Sequence, residues 1–372
     1  MSPTAISQET SLQIKVCRVL CIFFMMYVHV KPQLDTCADS MDGTLTLISF
    51  ILVDLFGRAS VPALSVISGF LVVSSLLKSG LAKLAQERLL TLIVPMAFWN
   101  LTVIALTLAA VLALGQKSQL MDELSGQGLT QLLIFKVLAI NNAGAIVPLN
   151  FLRDVFVCAL LSPVLLWGSR RFGWAALVAV WLGGLFVGFA PVVYRPHVLM
   201  FFSLGVFIAE RGWRLDPPPW LLILLASLFV GFEWARHLDL LSSAPTFWEP
   251  WHQVVRRAAL SGLFISISLR LARAPLADRL VRIEPAIYFI FLAHEFFFRI
   301  FWGVWSRAFG SDLGFPYHLF FIANPIIWML LGVQLNRLID GAPRWAQMVV
   351  RGKHRRQPKK LVAPRPEPQP LG

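Results

Sequence analysis

The chain has 372 residues, of which 57% are hydrophobic and only 14% are charged. A soluble domain needs a polar surface, so this composition and a mean hydropathy of +0.69 exclude an ordinary soluble domain and indicate a membrane protein. The net charge is +13, but the basic residues lie in short connections and in the carboxyl-terminal tail, so no nucleic-acid partner is expected.

A transmembrane helix needs about 20 consecutive apolar residues. On this basis we expect an all-α fold, a polytopic bundle of about ten transmembrane helices. Gly57, Arg58 and Pro62 interrupt a run that is too long for one crossing, so residues 44–56 are expected in the interface or as a re-entrant piece. The predicted spans are 12–30, 59–77, 89–115, 147–167, 173–190, 197–210, 219–235, 254–272, 284–304 and 317–340.

The distribution of lysine and arginine predicts the orientation of the bundle. Most of the 33 basic residues lie on one side when the amino terminus is placed inside, so both termini are expected in the cytoplasm. Residues 1–343 are expected to form the transmembrane domain, and the basic, proline-rich residues 344–372 a disordered cytoplasmic tail that contacts membrane lipids. The four cysteines suggest neither a disulfide framework nor a metal site.

The first predicted span, KVCRVLCIFFMMYVHV, carries two cations and a histidine on one face. Arg18 and His29 are 11 residues apart, which returns to within about 20° of the same face with a rise of ~16 Å. Lys15 lies on the same stripe, and the two cations suit an anionic group such as a phosphate. The preference for positive charge at the cytoplasmic end would also explain the cations, and a neighbouring helix could satisfy His29.

A second histidine, His294, is expected at a similar depth because it lies ten residues, or ~15 Å of helix, into a span entering from the same side. An imidazole can take or give a proton near neutral pH, which suits acyl-transfer chemistry. Glu295 points about 100° away from His294 and is not expected to be its partner. Asp54 and Arg58 are spaced to form an ion pair if the helix is continuous, and Arg58 alternatively faces a reaction chamber.

Four segments in this order resemble the acyltransferase-3 family of integral membrane proteins, over roughly residues 12 to 340. Lys15 stands where the family often has arginine, and Ala63 to Val66 replace a phenylalanine-rich stretch. The matching features are Lys15, Arg18 and His29 in the first span, RASVPALSVISGFL from Arg58 to Leu71, ERLLTLIVPMAFWN with Arg88, Pro95 and Trp99, and IYFIFLAH ending at His294.

The resemblance implies an enzyme of the bacterial inner membrane. Such an enzyme would move an acetyl or succinyl group from cytoplasmic acyl-CoA to a hydroxyl of a cell-surface or exported glycan or lipid-linked sugar. Acyl-CoA would be a substrate, with no permanently bound cofactor. By analogy, Lys15, Arg18 and Arg88 would bind the donor, while His29, as general base or transient acyl carrier, would act with His294 and Arg58.

The alternative function is a transporter or flippase for a lipid-linked glycan or small solute. Transporters also place histidines and arginines within the membrane and often use broken helices. They tend, however, to contain internal repeats, and the two halves of this sequence are not self-similar.

Overall fold

The computed structural model describes residues 7–32, 34, 41–114, 128–142, 144–238 and 245–353. Within these residues the regular structure is helical, apart from one isolated β-bridge between Phe189 and Val193. The α-helices are α1 (Gln8–Tyr27), α2 (Gly43–Ser49), α3 (Ser60–Arg88), α4 (Val94–Leu114), α5 (Leu129–Leu132), α6 (Asn150–Phe172), α7 (Trp174–Phe186), α8 (Pro196–Glu210), α9 (Pro219–His237), α10 (Pro245–Ala272), α11 (Ala277–Phe309), α12 (Phe315–Ile339) and α13 (Arg344–Arg351).

Short helical turns of other types connect or extend these helices. The π-helical segments Phe50–Gly57, Leu89–Ile93 and Leu133–Val137 continue α2, α3 and α5. Two 3₁₀ turns, Ile140–Asn142 and Val147–Leu149, lead into α6. The continuity from α3 to α4 through a π-helical turn brings Arg88 and the start of α4 to the same end of the bundle.

The predicted all-α fold is confirmed for the described residues. In this part of the chain, five stretches are long and apolar enough to cross a membrane: Gln8–Tyr27, Gly43–Ala113, Val147–Phe172, Ala277–Phe309 and Phe315–Ile339. Each predicted span overlaps a helix, and α7, α8 and most of α9 are shorter apolar helices. The number of about ten crossings and the cytoplasmic position of both termini stay predictions.

The predicted interruption before α3 is present. The π-helical segment ends at Gly57, where an added Cβ would meet the Val28 side chain and the Phe24 carbonyl of the first helical segment. Asp54 and Arg58 form the predicted i, i+4 ion pair, with 2.9 Å between Oδ1 and Nε. The close approach at Gly57 therefore places this ion pair next to the end of α1.

Close helix packing positions α1 in the interior. This helix packs against α3, α10, α11 and α12. Next to it, α3 and α8 touch backbone to backbone, because a Cβ at Gly69 would overlap the Phe202 carbonyl and one at Gly205 would overlap the Val66 carbonyl. Small residues permit such crossings in membrane proteins, where apolar burial between helices adds little driving force.

The first part of the predicted tail, Arg344–Arg351, is the ordered helix α13, while the domain boundary itself stays a prediction. Trp99 of α4 donates its indole N–H to the Val350 carbonyl of α13 over 2.9 Å. Arg351 is only 3% exposed and pairs with Asp340 at 2.7 Å. These two contacts hold α13 against the bundle. Arg351 is therefore buried and paired, although the composition of the tail predicted a disordered segment. Residues 354–372 of the predicted tail lie outside the described residues.

Candidate active site

The two histidines singled out in the sequence meet in the structure. His29 lies just beyond α1, where its backbone N–H donates to the Met26 carbonyl at 3.0 Å. His294 lies within α11 and is fully buried. The centroids of the two imidazole rings are 5.3 Å apart, with an angle of 55° between their planes. This contact defines the histidine pair, the candidate reaction centre.

Hydrogen bonding determines which ring nitrogen of His294 has a free lone pair to accept a proton. Its Nδ1 lies 2.5 Å from the Phe291 carbonyl, and because a carbonyl only accepts, Nδ1 carries the proton. In the neutral imidazole Nε2 then has a free lone pair. Within the described residues, Nε2 of His294 and Nδ1 of His29 are both buried without a hydrogen-bond partner. Unpaired buried polar atoms are uncommon, and here they suit a ligand that exchanges a proton.

Glu295 belongs to a neighbouring ion-pair network. Its carboxylate lies 2.7 Å from Arg299, one turn later on α11, and 3.7 Å from Lys31 beyond α1. The side chain is 2% exposed, so these two cations compensate for the burial of its charge. The network links the segments that carry the two histidines, and Glu295 is engaged there by Arg299 and Lys31.

A cavity of 310 Å³ lies beside the middle of α1, where Arg18 and Ile22 line it, and approaches the histidine pair. Arg18, Arg88, Arg351 and Lys353 are among its lining residues and make its walls positive. Phe291 also lines it, and the Phe291 ring stacks on the His294 imidazole with centroids 5.9 Å apart. A single residue therefore connects the wall of the cationic cavity to the candidate reaction centre.

The lining residues are held by contacts between helices. Arg18 of α1 lies 3.5 Å from Glu284 of α11. Tyr288 donates its hydroxyl hydrogen to the Thr91 carbonyl at 2.7 Å, which ties α11 to the π-helical turn after α3. Arg88 is partly buried and, among the described residues, has no hydrogen bond or ion pair. Arg88 is therefore a cation available to an anionic ligand.

A second cavity adjoins the first through α13. It has a volume of 460 Å³ and shares Arg351 and Lys353 with the first cavity. Its other cationic lining residues are Arg282 and Arg337. Gly352, which follows α13, has a φ of +66°, and a Cβ there would overlap the Thr91 carbonyl. This close approach places Lys353 between the two cavities.

A family model described as an acyltransferase domain matches residues 12–333. The chain belongs to the acyltransferase-3 family. The succinoglycan biosynthesis protein ExoH of Rhizobium meliloti (strain 1021) is 25% identical over 344 residues, with 89% of each chain covered. No solved structure matches the chain. With five long apolar helical stretches in the part of the chain that the structure describes, this member of the acyltransferase-3 family is a multi-pass integral membrane acyltransferase.

The structure of this acyltransferase brings together most of the residues that the sequence indicated. His29 and His294 are in contact, and Arg18 and Arg88 line one cavity. Lys15 is not among the residues that line it. Arg58 is paired with Asp54 and lies at the His29 end of α1, away from the cavity, where its charge acts on His29. The roles of these residues stay predictions.

Sequence reasoning missed several cavity residues. Glu284 and Tyr288 lie in the predicted span that carries His294. Glu284, Tyr288 and Phe291 are spaced three or four residues apart, and this helical spacing was a signal that they share one face. Arg351 and Lys353 join the cavity only because α13 folds back, which no local pattern in the tail indicates. Among the described residues, no group of three or more His, Cys, Asp or Glu side chains could hold a metal ion.

Proposed function

We propose that this acyltransferase moves an acyl group from cytoplasmic acyl-CoA to a hydroxyl of a cell-surface or exported glycan in the bacterial inner membrane. Acetyl is the first candidate for the acyl group and succinyl the second. The observation that carries the proposal is the cationic cavity that ends at Phe291, directly beside His294. A donor with a charged nucleotide and a reactive group on a long arm fits this arrangement.

Coenzyme A would bind with its phosphates among the cations of the two adjoining cavities. Arg88 offers a planar fork of N–H donors that matches phosphate oxygens, and Lys353 offers a compact charge. Arg18 already has Glu284 at 3.5 Å, so its net attraction for phosphate is reduced. The first cavity is at the low end of the size range of small-molecule sites. The nucleotide would therefore extend toward the second cavity, and the pantetheine arm toward Phe291.

The histidine pair would then handle the protons of the transfer. A base at the pair removes the proton of the acceptor hydroxyl as its oxygen attacks the thioester carbonyl carbon. The new carbon–oxygen bond forms, the carbon–sulfur bond breaks, and the CoA sulfur leaves with a proton returned from the imidazolium. The free lone pair on Nε2 of His294 suits the base. His29 is the other candidate for that base, or it carries the acyl group transiently before the hydroxyl attacks.

Labelled acyl transfer tests the proposal. Inner-membrane vesicles that contain the protein are incubated with acetyl- or succinyl-CoA labelled in the acyl group and with crude envelope glycan. We expect label in the glycan from at least one donor, and none from vesicles without the protein. Counterflow of a solute without thioester cleavage would instead support a transporter and overturn the proposal.

A further inference from the structure

Arg257 of α10 is a cation that forms no ion pair within the described residues. It lies between Val254 and Leu260, which belong to the buried core, and is itself partly buried. In the part of the chain that the structure describes, Arg257 makes no hydrogen bond or ion pair. A guanidinium keeps its charge in proteins, and an unpaired charge that is partly buried among apolar side chains is costly unless a ligand or partner uses it.

The groups around Arg257 add positive charge. The charges of Arg256, Arg58 and Arg195 act on Arg257, with Glu249 as the opposing negative charge. His197, on α8, is within electrostatic range of both Arg257 and Arg195. Val254, three residues before Arg257, belongs to the same buried cluster as Ala59, which follows Arg58, and Met200 of α8. These three segments therefore pack together next to Arg257.

The nearby carboxylates are held by other side chains, so within the described residues none forms an ion pair with Arg257. Each is held at hydrogen-bond or ion-pair distance by a neighbouring side chain. The pairs are Asp54 with Arg58 at 2.9 Å, Asp154 with Arg153 at 2.8 Å, Glu233 with His252 at 2.7 Å and Glu249 with Gln253 at 2.6 Å.

This excess of positive charge lies beside the histidine pair. The charges of Arg58 and Arg195 act on His29 as well as on Arg257. We call Arg58, Arg195 and Arg257 the Arg257 cluster. The cluster lies at the end of α1 that Gly57 and Arg58 approach, whereas the donor cavity lies beside Arg18 and Ile22 in the middle of α1. It is therefore a second cationic site, separated from the donor cavity by the reaction centre.

We propose that the Arg257 cluster binds a small anionic group carried by one of the two substrates, with Arg257 as the main contact. This inference rests on the proposed function for the identity of those substrates. The anion has two sources: the free carboxylate of a dicarboxylic acyl group such as succinyl, or the pyrophosphate of a lipid-linked acceptor. In either case the cluster fixes the orientation of the substrate at the histidine pair and selects against a neutral analogue.

The test measures the thermal unfolding midpoint of the purified full-length protein in detergent. Sodium succinate, inorganic pyrophosphate and neutral succinamide are titrated at constant ionic strength, with saturating CoA present to fill the donor cavity. Arg257→Gln is the test variant. Arg256→Gln is the matched control, because Arg256 donates to Gln253 at 2.9 Å and lies within range of Asp54 and Glu249.

We expect succinate or pyrophosphate, but not succinamide, to raise the midpoint of the wild type and of Arg256→Gln. In Arg257→Gln the apparent dissociation constant should rise at least about tenfold, as expected for loss of a charge-assisted contact. A response to succinate alone assigns the site to the acyl group, one to pyrophosphate alone assigns it to the acceptor, and one to both establishes a general anion site.

The proposal is overturned if neither anion shifts the wild-type midpoint or if Arg257→Gln responds like the wild type. Direct CoA binding to the same preparations separates this result from the proposed function. A protein that binds succinate through Arg257 but does not bind CoA would contradict the acyl-CoA donor and retain the anion site. Unchanged CoA binding by Arg257→Gln also shows that the variant is folded.

Discussion

Replacement of Arg88 by glutamine should weaken CoA binding by about 10- to 100-fold. Arg88 lines the donor cavity, is partly buried and has no partner among the described residues, so its donors are free for a phosphate. Two unit charges about 4 Å apart interact by about 1 kcal/mol in bulk water and about 4 kcal/mol near a protein surface. Hydrogen bonds to charged groups contribute about 1.5 to 3 kcal/mol net, and each 1.4 kcal/mol is tenfold in affinity.

The assay is equilibrium binding of CoA to the purified protein in detergent, at two salt concentrations. Lys83→Gln is the matched control, because it removes the same charge from an exposed position on α3 outside the cavity lining. We expect Lys83→Gln to stay within twofold of the wild type and the effect of Arg88→Gln to shrink at high salt. Equal dissociation constants for wild type and Arg88→Gln would show that the phosphates bind elsewhere.

Two further variants test the packing that builds the donor cavity. Gly205→Ala should lower the thermal midpoint strongly, by the equivalent of about 1 to 3 kcal/mol or more, because its Cβ overlaps the Val66 carbonyl. Gly303→Ala, which meets no atom within 4 Å, should leave the midpoint almost unchanged, and equal midpoints would refute the close crossing. Arg351→Met removes the ion pair with Asp340 and the hydrogen bonds that Arg351 donates to Asn336 and Gln347, so α13 should become sensitive to protease and CoA affinity should fall. A protease-resistant variant with normal affinity would exclude α13 from the donor site.

The sequence predicts the helices and the alignment of Arg18 with His29, because both follow from the periodicity of one helix. The spacing of Arg18 and His29 predicted one helical face from helix geometry alone, and the structure has Arg18 in α1 and His29 just beyond its end. The i, i+4 pair of Asp54 and Arg58 is likewise local, and the structure contains it. Residue spacing along one helix is therefore enough to assign each position to a face and a depth.

Contacts between helices could not be predicted in the same way. The 5.3 Å separation of the imidazole centroids depends on how α1 packs against α11, and the sequence indicates only similar depths. The contribution of Lys353 depends on α13 folding back against Thr91, although its composition is typical of a solvated tail. The unpaired state of Arg257 depends on where the neighbouring carboxylates lie in three dimensions, which residue spacing does not indicate.

The release of CoA thiol from acetyl-CoA and succinyl-CoA tests the central claim most directly. Purified wild type is compared with His29→Ala and His294→Gln, and CoA binding by each variant serves as the control for folding. We predict that both variants bind CoA within a few-fold of the wild type but release thiol about 10²- to 10⁴-fold more slowly, as expected for loss of a proton-transfer group. Wild-type rates in both variants would contradict the assignment of the histidine pair as the reaction centre.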